Sequence, residues 1–495
     1  MAEVNIDDVL NVLGFGRMQL ILFISCATQQ MYISNEQFGL GLVSVAASCD
    51  FQIDEHRMAW LMTAVFIAQV GSSHYLGYKS DEIGRRKLIL ISSMLTMLFS
   101  LISSFMPDFW SFLVVRFITS CFLPGPGSTV LTYMSEFTQI KLRPEVTNFL
   151  SYALGVSMIY VPLVSMWLLP LNIRLMITDN YGFTSWRALM VVNLLPGVIS
   201  WIMIFCMPES PKYYLSINQV DKALEVLERC CRYNKGKDVT LKSLGFENVS
   251  QPRLRGDSYI KHNFLFIRMW SETKPLLQGM YLRHMLLIIA ILIFEFGTGF
   301  GLAVWMPRIL KMQSDVGDPM ILCDLVEAAH ALNKTVAESE CNVPTKFLLY
   351  AIFNGCCCLA MFMLISLLLI WINRKIILLA FAMLATIAGF MLNVVKTHFF
   401  VTACFVFLTV PPLCSLRLIL SVLIDVIPTH LRNKSVALAM MFGRIGVLFA
   451  GLYVGYTLKW NCYLTFNAFA AVMLISFVLI TRLPSDADVI DIATK

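Results

Sequence analysis

Twelve apolar runs, each close to the roughly 20 residues that a helix needs to cross a bilayer, limit most strongly how this chain can fold. Of the 495 residues, 58% are hydrophobic and 14% are charged, whereas soluble domains average about 45–50% apolar and about 25% charged residues. The sequence therefore predicts an all-α membrane protein with twelve transmembrane helices. The expected spans are 18–47, 58–76, 88–106, 109–133, 146–170, 187–207, 284–306, 347–371, 375–394, 398–424, 435–457 and 461–481.

The spans fall into two groups of six on either side of a polar stretch. We expect 1–207 to form a first six-helix half, 208–283 a cytoplasmic linker with short helices, and 284–495 a second half. Within the linker, the amphipathic run from Asn218 to Leu227 predicts a helix with Asn218 as its N-cap. In the second half, 307–346 is expected to be an extracellular or lumenal loop.

Lysine and arginine concentrate in alternate short loops, and loops of this kind face the cytoplasm. This bias predicts that both termini are cytoplasmic. The first ten residues are acidic and lack a basic segment, so no cleavable signal peptide is expected.

The link between the second and third spans has a patterned set of residues and reads GYKSDEIGRRK. Gly77 and Gly84 permit a tight turn and a close helix approach. Asp81 can accept charge-assisted hydrogen bonds from an arginine or a helix end, and Arg85 and Arg86 hold the link in the cytoplasm. An ordinary basic loop would explain the arginines but not the spaced glycines and the aspartate. We therefore predict a gating role for these five residues.

A second charge pattern occurs once in each half. Glu136 after the fourth span precedes Arg143 by seven residues, and Asp425 after the tenth span precedes Arg432 by the same spacing. The repeat predicts a cytoplasmic charge network that holds the two halves together when the outer side is open. The second half has no counterpart of the glycines and aspartate of the GYKSDEIGRRK link, so the halves are not equivalent at their gates.

These motifs resemble the major facilitator superfamily, whose second and third helices are joined by G-x-x-x-D-(R/K)-x-G-R-(R/K); Glu82 departs from that pattern. GFGRMQ from Gly14, SWR from Ser185 and PESPK from Pro208 resemble the organic ion transporters and the synaptic vesicle glycoprotein 2 group. The landmarks run from residue 14 to about 432. The resemblance implies a divergent, insect-type orphan member, with the major facilitator fold of two six-helix pseudo-repeats and transport by alternating access.

Ionisable residues inside a span are candidate sites, because one at the bilayer centre costs about 2.5–3.5 kcal/mol. Glu36 lies past the middle of the first span and Glu295 at the middle of the seventh, which is the pseudo-repeat equivalent of the first, and both helices are expected to line the central cavity. Either they bind a cation or a coupled proton, or a nearby arginine neutralises each of them. Arg116 in the fourth span is expected to be a structural partner.

Arg417 and Arg444 complete the candidate substrate- or ion-binding residues. Arg444 resembles the arginine in the eleventh helix of organic anion transporters. If it faces the cavity it favours anionic substrates, because a guanidinium fork suits carboxylates. The alternative is a salt bridge between Arg444 and Glu295.

The expected outer loop contains a candidate disulfide between Cys323 and Cys341. It also carries a candidate glycosylation site at Asn333, in the sequon Asn-Lys-Thr. No nucleophile–base pair, phosphate loop or metal cluster stands out in the sequence. We therefore expect no enzyme activity, no metal and no cofactor.

The expected function is secondary active transport of a small organic solute, leaning toward an organic anion, with a coupled proton or other ion as a further expected partner. The alternative is a non-transporting vesicle or plasma-membrane glycoprotein that acts in trafficking or as a receptor. We expect a monomer in the bilayer of the plasma membrane or of a secretory or synaptic vesicle, with no nucleic-acid partner.

Overall fold

Helices make up nearly all of the regular structure in this computed structural model. It describes residues 4–171, 173–178, 181–236, 238–246, 249–250, 276, 280–316, 319–335, 346–427 and 432–484. The helices of the first half and linker are α1 (Ile6–Leu13), α2 (Arg17–Ala46), α3 (Ser48–Phe51), α4 (Glu55–Ile83), α5 (Arg85–Ser104), α6 (Phe109–Phe122), α7 (Pro124–Glu136), α8 (Arg143–Leu168), α9 (Ser185–Asn193), α10 (Leu195–Phe205), α11 (Pro211–Ser216) and α12 (Val220–Lys235). Those of the second half are α13 (Met280–Phe296), α14 (Leu302–Val316), α15 (Leu322–Thr335), α16 (Lys346–Leu368), α17 (Arg374–Met391), α18 (His398–Val426), α19 (Arg432–Thr457) and α20 (Cys462–Thr481).

Three of the spans are built from two helices each. The fourth joins α6 and α7, the sixth joins α9 and α10, and the seventh joins α13 and α14 through a π-helical turn, Gly297–Gly301. Within the described residues, ten spans are long and apolar enough by composition to cross a membrane. The other two, α2 and α4, have 30 and 29 residues and carry more polar side chains, most of which α2 buries. The twelve-helix prediction is confirmed.

Several boundaries differ from those expected. The seventh span continues as helix to Val316, and α15 is helical within the expected loop 307–346. The linker helix α12 begins at Val220 after Gln219, because Asn218 has a left-handed backbone with φ of 59° and cannot serve as an N-cap.

Two short two-stranded sheets accompany the helices. The strand β1 (Val4–Asn5) pairs in parallel with β4 (Val249–Ser250), and β2 (Arg174–Thr178) pairs antiparallel with β3 (Tyr181–Thr184). The first sheet joins the start of the chain to the linker.

The halves meet along three helix pairs: α4 with α19, α8 with α16, and α2 with α14. At the α2–α14 crossing, a Cβ on Gly41 would collide with the carbonyl oxygen of Val304, so only glycine allows this approach. We call the end of the bundle that carries the GYKSDEIGRRK segment the Asp81 end, and the opposite end the Glu55 end.

A cap covers the first half at the Asp81 end; it consists of α1, α11, α12 and the β1–β4 pair. Its core contains Ile6, Leu10 and Leu13 of α1 and Leu227 and Cys230 of α12, all of which are buried. The helices α1 and α2 meet at a bend of 101°. The cap therefore ties the bent start of the chain to the linker.

Cys323 at the start of α15 forms a disulfide with Cys462 at the start of α20, with a Cα–Cα distance of 5.4 Å. The predicted pair of Cys323 with Cys341 is therefore wrong; Cys341 lies outside the described residues. The physical reason is that α15 packs against the helix bundle and brings Cys323 beside α20. Asn333 lies in α15, and its side chain is also outside the described residues.

Candidate functional site

The GYKSDEIGRRK segment is a helix end followed by one sharp turn. The helix α4 continues to Ile83, so Gly77 lies inside the helix, with nothing within 4 Å of an added Cβ, and takes no part in the turn. The turn is made by Gly84 alone, whose φ of 100° strongly favours glycine. The helix α5 begins at the next residue.

Arg85 connects three elements at this turn. Its guanidinium donates to Asp81 at 2.7 Å and to Glu136 at 3.1 Å. It also lies over the ring of Tyr213 on α11, 5.6 Å from the centroid. The side chain of Asp81 is 64% exposed whereas that of Glu136 is 13% exposed, so Glu136 is the partner better shielded from water.

Glu209, between α10 and α11, caps the start of α5. Its carboxylate accepts hydrogen bonds from the backbone N–H groups of Arg86 at 2.9 Å and Lys87 at 3.2 Å. The first N–H groups of a helix have no partner within the helix and attract anions. A Cβ on Gly84 would lie 2.5 Å from this carboxylate, so the absence of a side chain at Gly84 also leaves room for Glu209. Sequence reasoning missed this role, although the PESPK motif marked the position.

Arg143 does not bond to Glu136. It donates to Asp7 on α1 at 2.6 Å, and Lys212 on α11 donates to the same carboxylate oxygen at 2.6 Å. Partial burial works against ionisation of Asp7, but hydrogen bonds and charge from Lys212 and Arg143 outweigh it and lower the pKa of Asp7 below its usual value. Sequence reasoning missed Asp7, which it treated only as part of an acidic start.

The charge network at the Asp81 end thus lies within the first half and its cap, as far as the described side chains show. The side chains of Asp425 and Arg432 lie outside the described residues. A contact of this network with the second half stays a prediction.

At the Glu55 end an ion pair joins the two halves. Arg308 on α14 donates to the Glu55 carboxylate of α4 at 2.7 and 3.2 Å, and to the carbonyl of Ile53 at 2.8 Å. Their side chains are only 14% and 9% exposed. Sequence reasoning did not select this pair, because both residues lie beside the expected spans rather than in a motif.

Glu36 lies in an ion pair inside the first half. The guanidinium of Arg116 is 2.9 Å from its carboxylate, and Ser100 donates to it at 2.7 Å. Asn35 and Asn193 line a cavity of about 10 Å³ beside the pair, room for about one water molecule. Of the two alternatives for Glu36, neutralisation by an arginine is the arrangement present.

Glu295 has a different environment inside the second half. It is 1% exposed, and Ser476 on α20 donates to Oε1 at 2.6 Å. Within the described residues Glu295 has no cationic partner, and Oε2 accepts no hydrogen bond. The side chain therefore faces α20 rather than the first half.

Arg444 on α19 donates to the hydroxyl of Ser73 on α4, across the contact between the halves. It forms no salt bridge with Glu295. Arg417 on α18 has neither a hydrogen bond nor an ion pair within the described part of the chain. Arg417 and Arg444 are therefore cations within spans of the second half that no described carboxylate compensates.

Aromatic rings bridge the halves beside these groups. The rings of Phe38 on α2 and Phe300 in the π-helical turn stack with centroids 5.0 Å apart. Phe300 also stacks on Phe296, the neighbour of Glu295, at 5.3 Å. A movement between the halves would therefore act on the segment that carries Glu295.

Comparison with known proteins agrees with this architecture. The family model described as Major Facilitator Superfamily matches residues 20–450. The chain is 24% identical over 327 residues to synaptic vesicle glycoprotein 2B of Homo sapiens, covering 62% of this chain and 48% of that protein. It is 27% identical over 288 residues to the putative transporter svop-1 of Caenorhabditis elegans, covering 56% and 52%. The chain spans about half the length of the curated relatives it matches.

Solved structures show the same fold at low sequence identity. The partially occluded inward open xylose transporter XylE from E. coli superposes with a TM-score of 0.66 at 12% identity, covering 95% of this chain and 99% of that chain. Its inward open conformation gives a TM-score of 0.63 at 14% identity, covering 94% and 96%.

Proposed function

Because this chain belongs to the major facilitator superfamily, we propose that it moves a small organic anion across a membrane by alternating access. The Asp81 end faces the cytoplasm in this proposal, as the excess of lysine and arginine there favours. The two halves rock against each other, and the solute binds between them.

The observation that supports an anionic solute is that Arg417 and Arg444 lack a compensating carboxylate among the described residues. Arg417 and Arg444 lie on spans of the second half, and Arg444 reaches the first half through Ser73. A cation without a counter-charge inside a membrane protein costs several kcal/mol. A carboxylate-bearing solute removes that cost when it binds, and the planar guanidinium offers it two parallel hydrogen bonds.

Two features support alternating access. The Glu55–Arg308 ion pair joins the halves at one end and must break for that end to open. At the Asp81 end, the described ion pairs lie within the first half and its cap. Opening of the two ends therefore depends on different contacts.

The test is solute uptake into proteoliposomes, with organic anions, cations and neutral solutes of similar size. We expect uptake of anions and its loss in Arg444→Gln, because a charge-assisted hydrogen bond contributes about 1.5–3 kcal/mol, roughly ten- to a hundredfold in affinity. Arg482→Gln, at an exposed residue just beyond α20, is the matched control. Unchanged anion uptake in Arg444→Gln, or a preference for cations, would contradict the proposal.

The similarity to a synaptic vesicle glycoprotein favours a second candidate, a membrane protein of trafficking that moves no solute. That candidate predicts no uptake and no solute-dependent stabilisation across the panel. It also predicts a stable protein complex when the native membrane is solubilised gently.

A further inference from the structure

Glu295 is a buried carboxyl group with one hydrogen bond. Ser476 donates to Oε1 at 2.6 Å, and both residues are at most 1% exposed. Oε2 accepts no hydrogen bond from the described residues. An ionised carboxylate accepts several hydrogen bonds or pairs with a cation when it is buried, because the transfer of an isolated charge out of water costs several kcal/mol.

The helices that pack on α13 offer no compensating charge. They are α18, α19 and α20, together with the Gly297–Gly301 turn. In the described part of these elements, no ionisable side chain hydrogen-bonds or ion-pairs with Glu295. The ionisable side chains there are His398, Cys404, Cys414 and Arg417 on α18, Arg444, Tyr453 and Tyr456 on α19, and Tyr463 on α20. The surroundings therefore suit a neutral, protonated carboxyl.

The environment of Glu36 in the first half differs from that of Glu295. It lies in the first span, which corresponds to the seventh, but is 2.9 Å from the guanidinium of Arg116, so its surroundings suit the ionised form. Of Glu36 and Glu295, Glu295 is the one whose described surroundings suit a protonated carboxyl in this conformation.

The position of Glu295 links its proton to movement of the halves. The π-helical turn Gly297–Gly301 starts two residues later, and π-helical turns in a helix are often found at functional sites. Phe296 and Phe300 join this turn by ring stacking to Phe38 of the first half. A change in the contact between the halves therefore shifts the backbone next to the carboxyl.

We propose that Glu295 carries the proton that is transported with the solute, and that Ser476 is the residue that positions its carboxyl. The inference rests on the proposed transport of an organic anion and names its coupling ion. The carboxyl holds the proton on Oε2 while buried. When the segment opens to water, the O–H bond breaks, the proton passes to water and a carboxylate remains; a proton from the other side restores the acid. One proton moved with a singly charged anion makes the transported charge zero.

Infrared spectroscopy of the purified protein in lipid tests the site without any solute. We expect the C=O stretching band of a protonated carboxylic acid in the native protein, its absence in Glu295→Gln, and its retention in Glu36→Gln. In Ser476→Ala the band moves to higher frequency, because the carbonyl oxygen loses its hydrogen bond, and Ser476→Thr restores it. A band that survives in Glu295→Gln, or disappears in Glu36→Gln, overturns the assignment.

Transport under a pH gradient tests the coupling. The native protein should concentrate the anion against its gradient, whereas Glu295→Gln should exchange anion for anion but lose concentrative uptake. Glu145→Gln, at an exposed residue of α8, serves as the control. Concentrative uptake that persists in Glu295→Gln overturns the coupling role. If no anion is exchanged by the native protein while the infrared band behaves as expected, the proposed solute is wrong and the proton site stands.

Discussion

The cap that Glu209 places on α5 can be tested by Glu209→Gln, which keeps the shape of the side chain. One carboxylate oxygen accepts from Arg86 N–H and the other from Lys87 N–H, at 2.9 and 3.2 Å. Glutamine keeps one acceptor and turns an NH₂ group toward the remaining N–H. The lost charge-assisted hydrogen bond contributes about 1.5–3 kcal/mol, and the lost attraction to the helix N-terminus about 0.3–1 kcal/mol.

The sum is a loss of about 2–4 kcal/mol from the free energy of unfolding of the first half. For a unit of this size each kcal/mol lowers the unfolding temperature by about 2–4 °C, so we expect the apparent unfolding temperature of the purified protein in detergent to fall by about 4–16 °C. Glu82→Gln is the matched control, since Glu82 pairs with Lys79 on the same segment but its side chain is 51% exposed. Exposed pairs contribute about 0–1 kcal/mol. If both variants melt alike, Glu209 does not cap α5 and the argument fails.

Three further outcomes follow from contacts described above. Glu55→Gln should weaken the ion pair with Arg308. A cysteine placed at the Glu55 end should then react faster with a membrane-impermeant thiol reagent. An unchanged rate would mean that the pair does not hold that end closed. Because the folded-state pKa of Asp7 is lowered, its stabilising contribution is complete above the usual value of about 4 and is lost as the pH falls through the folded value. Hydrogen exchange of α1 should therefore accelerate in that acidic range in the native protein, and Asp7→Asn should exchange fast throughout. Peptide mapping without reduction should recover Cys323 joined to Cys462, and Cys323→Ser should lower the apparent unfolding temperature, since loss of a native disulfide costs about 2–5 kcal/mol.

The fold was predictable from sequence because a bilayer leaves few choices. Each span needs about 20 apolar residues and must satisfy its own backbone, so counting apolar runs recovers the helices. The polar helix α2 was also predicted. It has 30 residues, so it contains enough apolar side chains to span a bilayer although it also contains buried glutamines and Glu36. Helix ends were harder, as the extension to Val316 shows, because a helix can continue beyond the apolar run when its flanks pack on other elements.

The candidate site was predictable as a set of charges but not as a set of pairs. Arg116 and Glu36 lie 80 residues apart, and only packing brings them together. Glu209 was missed because its partners are backbone N–H groups, which no pattern of side chains reveals. Cys323 and Cys462 were missed because nearness in the sequence favoured a partner within the loop.

The layer formed by α1, α11, α12 and the β1–β4 pair also constrains the order in which the chain can fold during synthesis. Asn234 hydrogen-bonds to Met18, Leu13, Gly14 and Gln19, all more than 200 residues earlier in the chain. During synthesis, the six spans of the first half emerge from the ribosome before Asn234 and β4 exist. The start of the chain must therefore wait with the apolar face of α1 uncovered until the linker is translated. That face gains its cover from α12 only after this interval, and a pause in translation within the linker would lengthen it.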